Sequence, residues 1–278
     1  MRSQSWIDQA PPTALHPSHT RHTAMLPATP AARPAESPRR RARWAGVFYL
    51  ATLLLGVFAQ AFVADRLIVG GSAAATAANI LQHELLFRAG FAAYLIEMAC
   101  QLTTIVLFYT LLRPVDRTAA AIVMALGLAG CVVKLVGRVF FYSPLLVLGG
   151  AKYLSVFPNE QLQAVALLFL RINHAAETVA VVFFGLYTIV QGYLIFRSTF
   201  LPRALGVLNC LGGLGWLTYL YEPLARQLLP FVIATALFGA AATVFWLLVF
   251  GVDEQKWRSA AAEPDRTPSS PSAELRPA

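Results

Sequence analysis

Apolar residues along this chain gather into long runs rather than into the short alternating blocks of a soluble fold. About 20 apolar residues, rising 1.5 Å each in a helix, cross the roughly 30 Å hydrocarbon core of a bilayer. Six runs predict spans at about 45–64, 90–112, 119–142, 176–196, 204–221 and 230–250. The fourth is expected to extend back to Asn159 as one longer helix, because Gln161 to Thr178 is a run of strong helix formers without Gly or Pro. After the first span, Gly70 and Gly71 mark a turn, Ser72 stands as an N-cap, and a short amphipathic helix is expected to run to Phe87. Its Ile80, Leu81 and Leu85 suit a membrane surface. Gly149 with Gly150, Pro158 and Pro202 mark further turns.

The flanks contrast with this pattern. Residues 1–43 mix Pro, Ala, Ser, Thr, His and Arg with almost no apolar cluster, and 253–278 is again polar and Pro/Ser-rich. Both are expected to be disordered tails around a membrane domain at 44–252. His16, His19 and His22 belong to the first tail by composition, and Met25 is a second candidate start. Arg39, Arg40, Arg41 and Arg43 precede the first apolar run as in a signal peptide. However, Val47 to Val63 exceeds a typical signal core and no Ala-x-Ala site follows, so an uncleaved first span is expected.

Composition agrees with the membrane class. The 278 residues are 57% hydrophobic and 13% charged, against about 25% charged in soluble domains. The net charge of +8 sits mainly in tails and alternate loops, which argues for membrane lipids rather than nucleic acid as the partner. Arg113 with Arg117, Arg197 with Arg203, and Lys256 with Arg258 share one side with the Arg-rich start. The Lys/Arg bias therefore predicts an all-α, polytopic six-helix transmembrane bundle with both termini cytoplasmic. Cys100, Cys131 and Cys210 fall inside apolar runs and read as reduced packing thiols, with no metal or redox spacing and no cofactor expected.

Charged residues inside the apolar runs are the candidate site. Lys134 and Arg138, four residues apart and so on one face of the third span, are costly in hydrocarbon unless neutralised. Glu97 lies sixteen residues before Arg113, and Lys134 sixteen after Thr118, so an antiparallel hairpin sets them at one level. That level is roughly 24 Å from the loop at 1.5 Å per residue. Arg138 lies twenty residues after Thr118 and Glu177 twenty before Arg197, one turn farther along. Two acid–base pairs at matched depth result. Tyr94, Glu97 and Gln101 form one stripe on the second span, while Arg171, His174 and Glu177 repeat on the fourth, with Asn173 beside them. Tyr142, His83 and Glu84 are candidate neighbours at the outer rim.

Several stretches carry a resemblance: "RLIVGGSAAATAANIL" with "LLFRAGFAAYLIE" (66–81 and 85–97), "LLRPV" (111–115) and "FFGLYTIVQGYLIFRSTFLPRALGVL" (183–208). Over Trp44 to Val252 the chain resembles an uncharacterised bacterial membrane family, domain of unknown function 4386. The resemblance implies a location in the bacterial inner membrane and supports six spans; it brings no activity and no catalytic residues. Two readings of the charged layer stay open. It fixes helix register, or it forms an outward-facing pocket between spans two, three and four that binds or senses a lipid or small anionic ligand. An outer-leaflet hydrolase using His174 or Glu177 as base, and a small-molecule transporter, are the alternatives.

Overall fold

A computed structural model of the chain describes residues 37–262, and within them every regular element is helical. His16, His19, His22, Met25 and most of both expected tails lie outside that range. Ser37 opens the first helix, its Oγ accepting the Arg40 N–H, and Pro38 takes the first helical turn, where its missing N–H costs nothing. This helix, α1, runs over Pro38–Leu67 with one π-helical stretch at Phe58–Ala64. The Arg cluster expected to close the tail is therefore helical.

After a turn in which Gly71 adopts φ 89°, α2 spans Ala73–Gln82, capped by Ser72. Two expectations fail here. The helix stops at Gln82 rather than Phe87, because His83 leaves helical geometry (φ −120°, ψ 40°) and a separate helix, α3, starts at Glu84. Ile80 is not on a membrane surface either; it is fully buried against the bundle, while Leu81 and Leu85 are exposed.

The remaining helices are α3 (Glu84–Leu112), α4 (Arg117–Leu148), α5 (Asn159–Arg197), α6 (Arg203–Leu217), α7 (Glu222–Val249) and α8 (Glu254–Ala262). Helix α5 starts at Asn159 and continues unbroken through the fourth span. Among the described residues five helices (α1, α3, α4, α5 and α7) are long and apolar enough to cross a membrane. Helix α6 occupies the fifth expected span with 15 residues, closed by a 3₁₀ turn at Thr218–Leu220. Helix α8 lies inside the expected second tail. It is tied down where the Trp257 indole N–H donates to the Leu111 carbonyl at 2.9 Å.

Neighbours in the chain pack as neighbours in space, α3 on α4, α4 on α5, α5 on α6 and α6 on α7, and α1 closes the ring by touching both α3 and α7. One apolar core fills the half of the ring near α8, around Phe108, Leu111, Leu194 and Leu247. A second fills the half near α2, around Val63, Phe87, Phe141 and Leu170. The charged layer lies where the two meet.

Glycine lets α6 fit. Gly185 and Gly192 on α5 face Gly213 and Gly206 on α6, so closely that a Cβ at Gly192 would stand 2.6 Å from the Gly206 carbonyl oxygen. Backbones meet with no side chain between them, the small-residue packing common among membrane helices. On the α7 side Gly212 meets Ala236, and Asn209 Nδ2 donates to Thr243 Oγ1 at 2.9 Å.

Candidate functional site

In α3 and α4 the charged residues sit at mid-helix, beyond reach of either end. Lys134 Nζ lies 2.6 Å from Glu97 Oε1. One turn toward the α2 end, Arg138 is ion-paired with Glu177 of α5, and its Nη1 also donates to Asn173 Oδ1 at 3.2 Å. The partners are those that residue counting assigns. A guanidinium buried to 1% exposure needs such company, since an isolated ion at this depth costs several kcal/mol.

Tyr94 supplies a further contact. The Arg138 Cζ stands 3.3 Å above the centre of the Tyr94 ring, and Phe141 flanks it at 5.9 Å. A dry cation–π contact of this kind is worth about 2 kcal/mol. The Tyr94 hydroxyl donates to Gln60 Oε1 at 2.8 Å, and Gln60 Nε2 donates to Asp65 Oδ1 at 2.8 Å. Gln60 stands in the π-helical stretch of α1, a widened turn of the type found at functional positions. Gly137, one residue before Arg138, lets α4 approach α5 here: a Cβ would lie 2.9 Å from the Ala176 methyl.

Two cavities flank this layer, and they divide the expected site residues between them. Glu97, Lys134 and Gln101 line a central cavity of about 330 Å³, whose wall takes residues from all six ring helices. Thr52 of α1, Thr188 of α5 and Asn209 of α6 complete its polar lining, and Tyr49, Phe184 and Trp216 its aromatic one. Tyr94, His174 and Glu177 line a second cavity of about 270 Å³ at the α2 end, with Gln60, Asp65, Arg171 and Asn173. Arg138 is on the wall of neither. The pocket expected between spans two, three and four thus becomes two spaces, the larger lined by the whole ring.

Among the described residues, Glu97 Oε2 and Arg138 Nε of the layer are buried without a hydrogen-bond partner. Glu97 is 5% exposed and packs beneath Gly56 of α1, whose missing side chain leaves room for the carboxylate. His174 is exposed. The outer-rim residues form their own cluster away from Arg138: Glu84 pairs with Arg88 at 2.6 Å, and Arg88 donates to the Tyr142 hydroxyl at 2.8 Å. His83 is exposed, its Nδ1 3.2 Å from the Asn79 carbonyl.

The model of the domain of unknown function DUF4386 matches residues 44–251. The chain belongs to the DUF4386 family. The match begins at Trp44 in α1 and ends at Gly251, so it takes in the whole ring, the charged layer and both cavities. No curated protein and no solved structure matches the chain. For this DUF4386 domain, chemistry must therefore be argued from the site itself.

Gln60, Asp65, Thr52 and Asn209 were not among the candidates from sequence. Gln60 carried a usable signal, as a lone amide in the apolar run 47–63. Asn209 carried the same signal, as the lone amide in the run 204–221, whereas Thr52 carried none, because which face of a helix meets a cavity depends on how the ring closes.

Proposed function

We propose that this chain is a six-span protein of the bacterial inner membrane that binds a small amphiphilic molecule in its central cavity without chemically transforming it. The observation that carries the reading is the position of the Glu97–Lys134 pair: mid-bundle, on the wall of a cavity of about 330 Å³ lined by all six ring helices. Cavities of about 300–1,000 Å³ with mostly apolar walls and a few convergent polar groups are the usual form of a small-molecule site. A network serving only to lock helices has no need of such a space beside it.

Six crossings and cytoplasmic termini belong to the same reading. Helix α6 and its 3₁₀ turn together reach roughly 28 Å at 1.5 and 2.0 Å per residue. Gly251, at the end of α7, packs against Arg39 at the start of α1, which favours an even number of passages. Arg39 to Arg43, Arg113, Arg117, Arg197, Arg203, Lys256 and Arg258 all flank helix ends on that side, the bias of a cytoplasmic face.

The Arg138–Glu177 pair supports a different role. With Glu177, Asn173 and the Tyr94 ring around it, the guanidinium is engaged on several sides, as in a clamp between α3, α4 and α5. A ligand-binding half and a structural half then share one layer. Neither cation is left over for an anion, which would have to displace a carboxylate. The hydrolase alternative needs Glu177 or His174 as a base, yet the first is held by Arg138 and the second is exposed.

Extraction into native-lipid discs tests the reading. Ala240, on the α7 wall of the cavity and away from the ion pair, is replaced by Leu to fill the space. Mass spectrometry is expected to find a stoichiometric small molecule in the wild type and to lose it in Ala240→Leu. Identical spectra for the two folded proteins would overturn it.

A further inference from the structure

Resting on the central cavity as a ligand site, the chemistry of its wall narrows the class of ligand. Among the lining residues, Glu97 and Lys134 carry formal charge, and they cancel each other across a 2.6 Å contact. A ligand with a net charge would enter a half-open, mostly apolar space without an unpaired counter-ion. Burial of that kind is opposed by several kcal/mol.

The pair is neutral as a whole but not satisfied. Among the described residues Glu97 Oε2 is buried with no hydrogen-bond partner, so the carboxylate has an acceptor to spare. The Lys134 ammonium has three N–H donors, and Glu97 Oε1 accepts one of them. Spare acceptor and spare donors belong to adjacent groups on one wall. A group that donates to one and accepts from the other satisfies both while adding no charge, and a hydroxyl is the smallest that does so. The other walls suit an apolar body, with Phe184, Trp216, Ile233 and Leu237 among them.

We infer that the central cavity binds a neutral amphiphile through a hydroxyl head, which donates to Glu97 and accepts from Lys134 while its hydrocarbon body rests among the aromatic and aliphatic walls. A cavity of about 330 Å³ suits a body of roughly 10–15 heavy atoms, the lower end of the range for ligand pockets. Binding is to the ion pair as a unit, so both partners contribute.

Photolabelling tests this with four diazirine probes of one chain length, ending in a hydroxyl, an ammonium, a carboxylate or a methyl. The full chain in lipid discs is irradiated with each, and labelled residues are mapped by tandem mass spectrometry. The alcohol is expected to label the cavity wall at least tenfold more than the ammonium, carboxylate or methyl probe. Ala240→Leu is expected to abolish that labelling. Glu97→Gln, which turns the carboxylate acceptor into an amide, is expected to reduce it at least fivefold in the folded fraction. Should Glu97→Gln fail to fold, the Ala240→Leu comparison and the probe ranking still decide. Stronger labelling by the ammonium or the carboxylate overturns the neutral-head assignment while keeping the cavity as a ligand site. Equal labelling by the methyl probe overturns the role of the ion pair. No cavity labelling by any probe overturns the ligand-site reading itself.

Discussion

Arg138 is the residue whose surroundings are most demanding. Among the described residues it is the largest fully buried side chain, and it carries a charge. Removing one partner of a buried ion pair leaves the other uncompensated, at a cost of about 3–5 kcal/mol. Arg138→Ala is therefore expected to lower folded yield sharply and to reduce the unfolding free energy in detergent by that amount. Arg138→Lys keeps the charge but loses the planar stack on Tyr94 and the reach to Asn173, so it should fall between. A double change with Glu177→Ala should recover about 1–3 kcal/mol of the loss, read as a coupling energy from thermal or denaturant unfolding. Additive single effects would mean that the two side chains act independently. The pairings Glu97–Lys134 and Arg138–Glu177 were legible from residue numbers because depth along a helix is linear in sequence and a charge in hydrocarbon must meet its opposite. Neutral polar groups make a weaker demand. Gln60 and Asn209 satisfy theirs through partners of several kinds, Tyr94 and Asp65 for the one and Leu205 and Thr243 for the other, which sets no depth condition that counting could detect.

At the scale of elements, the least regular parts of the bundle sit nearest the site. Helix α1 widens into its π-helical stretch where Gln60 meets Tyr94, and α6 comes close to α5 through paired glycines. Long helices were readable because hydropathy over about 20 residues is a strong, local signal. Their ends were not. Helix α2 stops where His83 departs from helical geometry, and α3 begins six residues before the expected start of its span, neither of which changes the apolar pattern. The glycine crossing gives a sharp test of packing. Gly192→Ala places a methyl 2.6 Å from the Gly206 carbonyl oxygen and 2.8 Å from the Cys210 backbone nitrogen, so α5 and α6 must separate. Overpacking against backbone costs about 1–3 kcal/mol. Gly70→Ala meets nothing within 4 Å and serves as the control, with a change within about 0.5 kcal/mol. Thermal unfolding of the two variants in the same detergent measures the difference; equal midpoints would mean that α6 is not held by this contact. Loosening α6 also moves Asn209 and Trp216, both on the cavity wall, so Gly192→Ala should weaken ligand retention as well as stability.

For the whole molecule, the open quantity is how many times the chain crosses the bilayer, and α6 decides it. Lys152 lies in the connection between α4 and α5, whereas Arg258 lies in α8 beyond α7. Three helices separate them: α5, α6 and α7. If all three cross, the two residues face opposite compartments; if α6 does not, they share one. Both are exposed, which makes them suitable for labelling. In a background with Cys100, Cys131 and Cys210 replaced by alanine, Lys152→Cys is expected to react with a membrane-impermeant maleimide on intact cells. Arg258→Cys should react only after permeabilisation. Reaction of both from one side would reduce the crossings to five, and exchange of the two would invert the orientation. The outcome also bears on the cavity. An α6 that crosses completes the ring around Glu97 and Lys134 as a closed wall within the bilayer, and its Asn209 is then held at depth by Thr243 of α7. An α6 that does not cross would leave that wall facing water, where an exposed ion pair contributes little and selects no neutral ligand. The labelling pattern therefore sets the dielectric in which the Glu97–Lys134 pair operates.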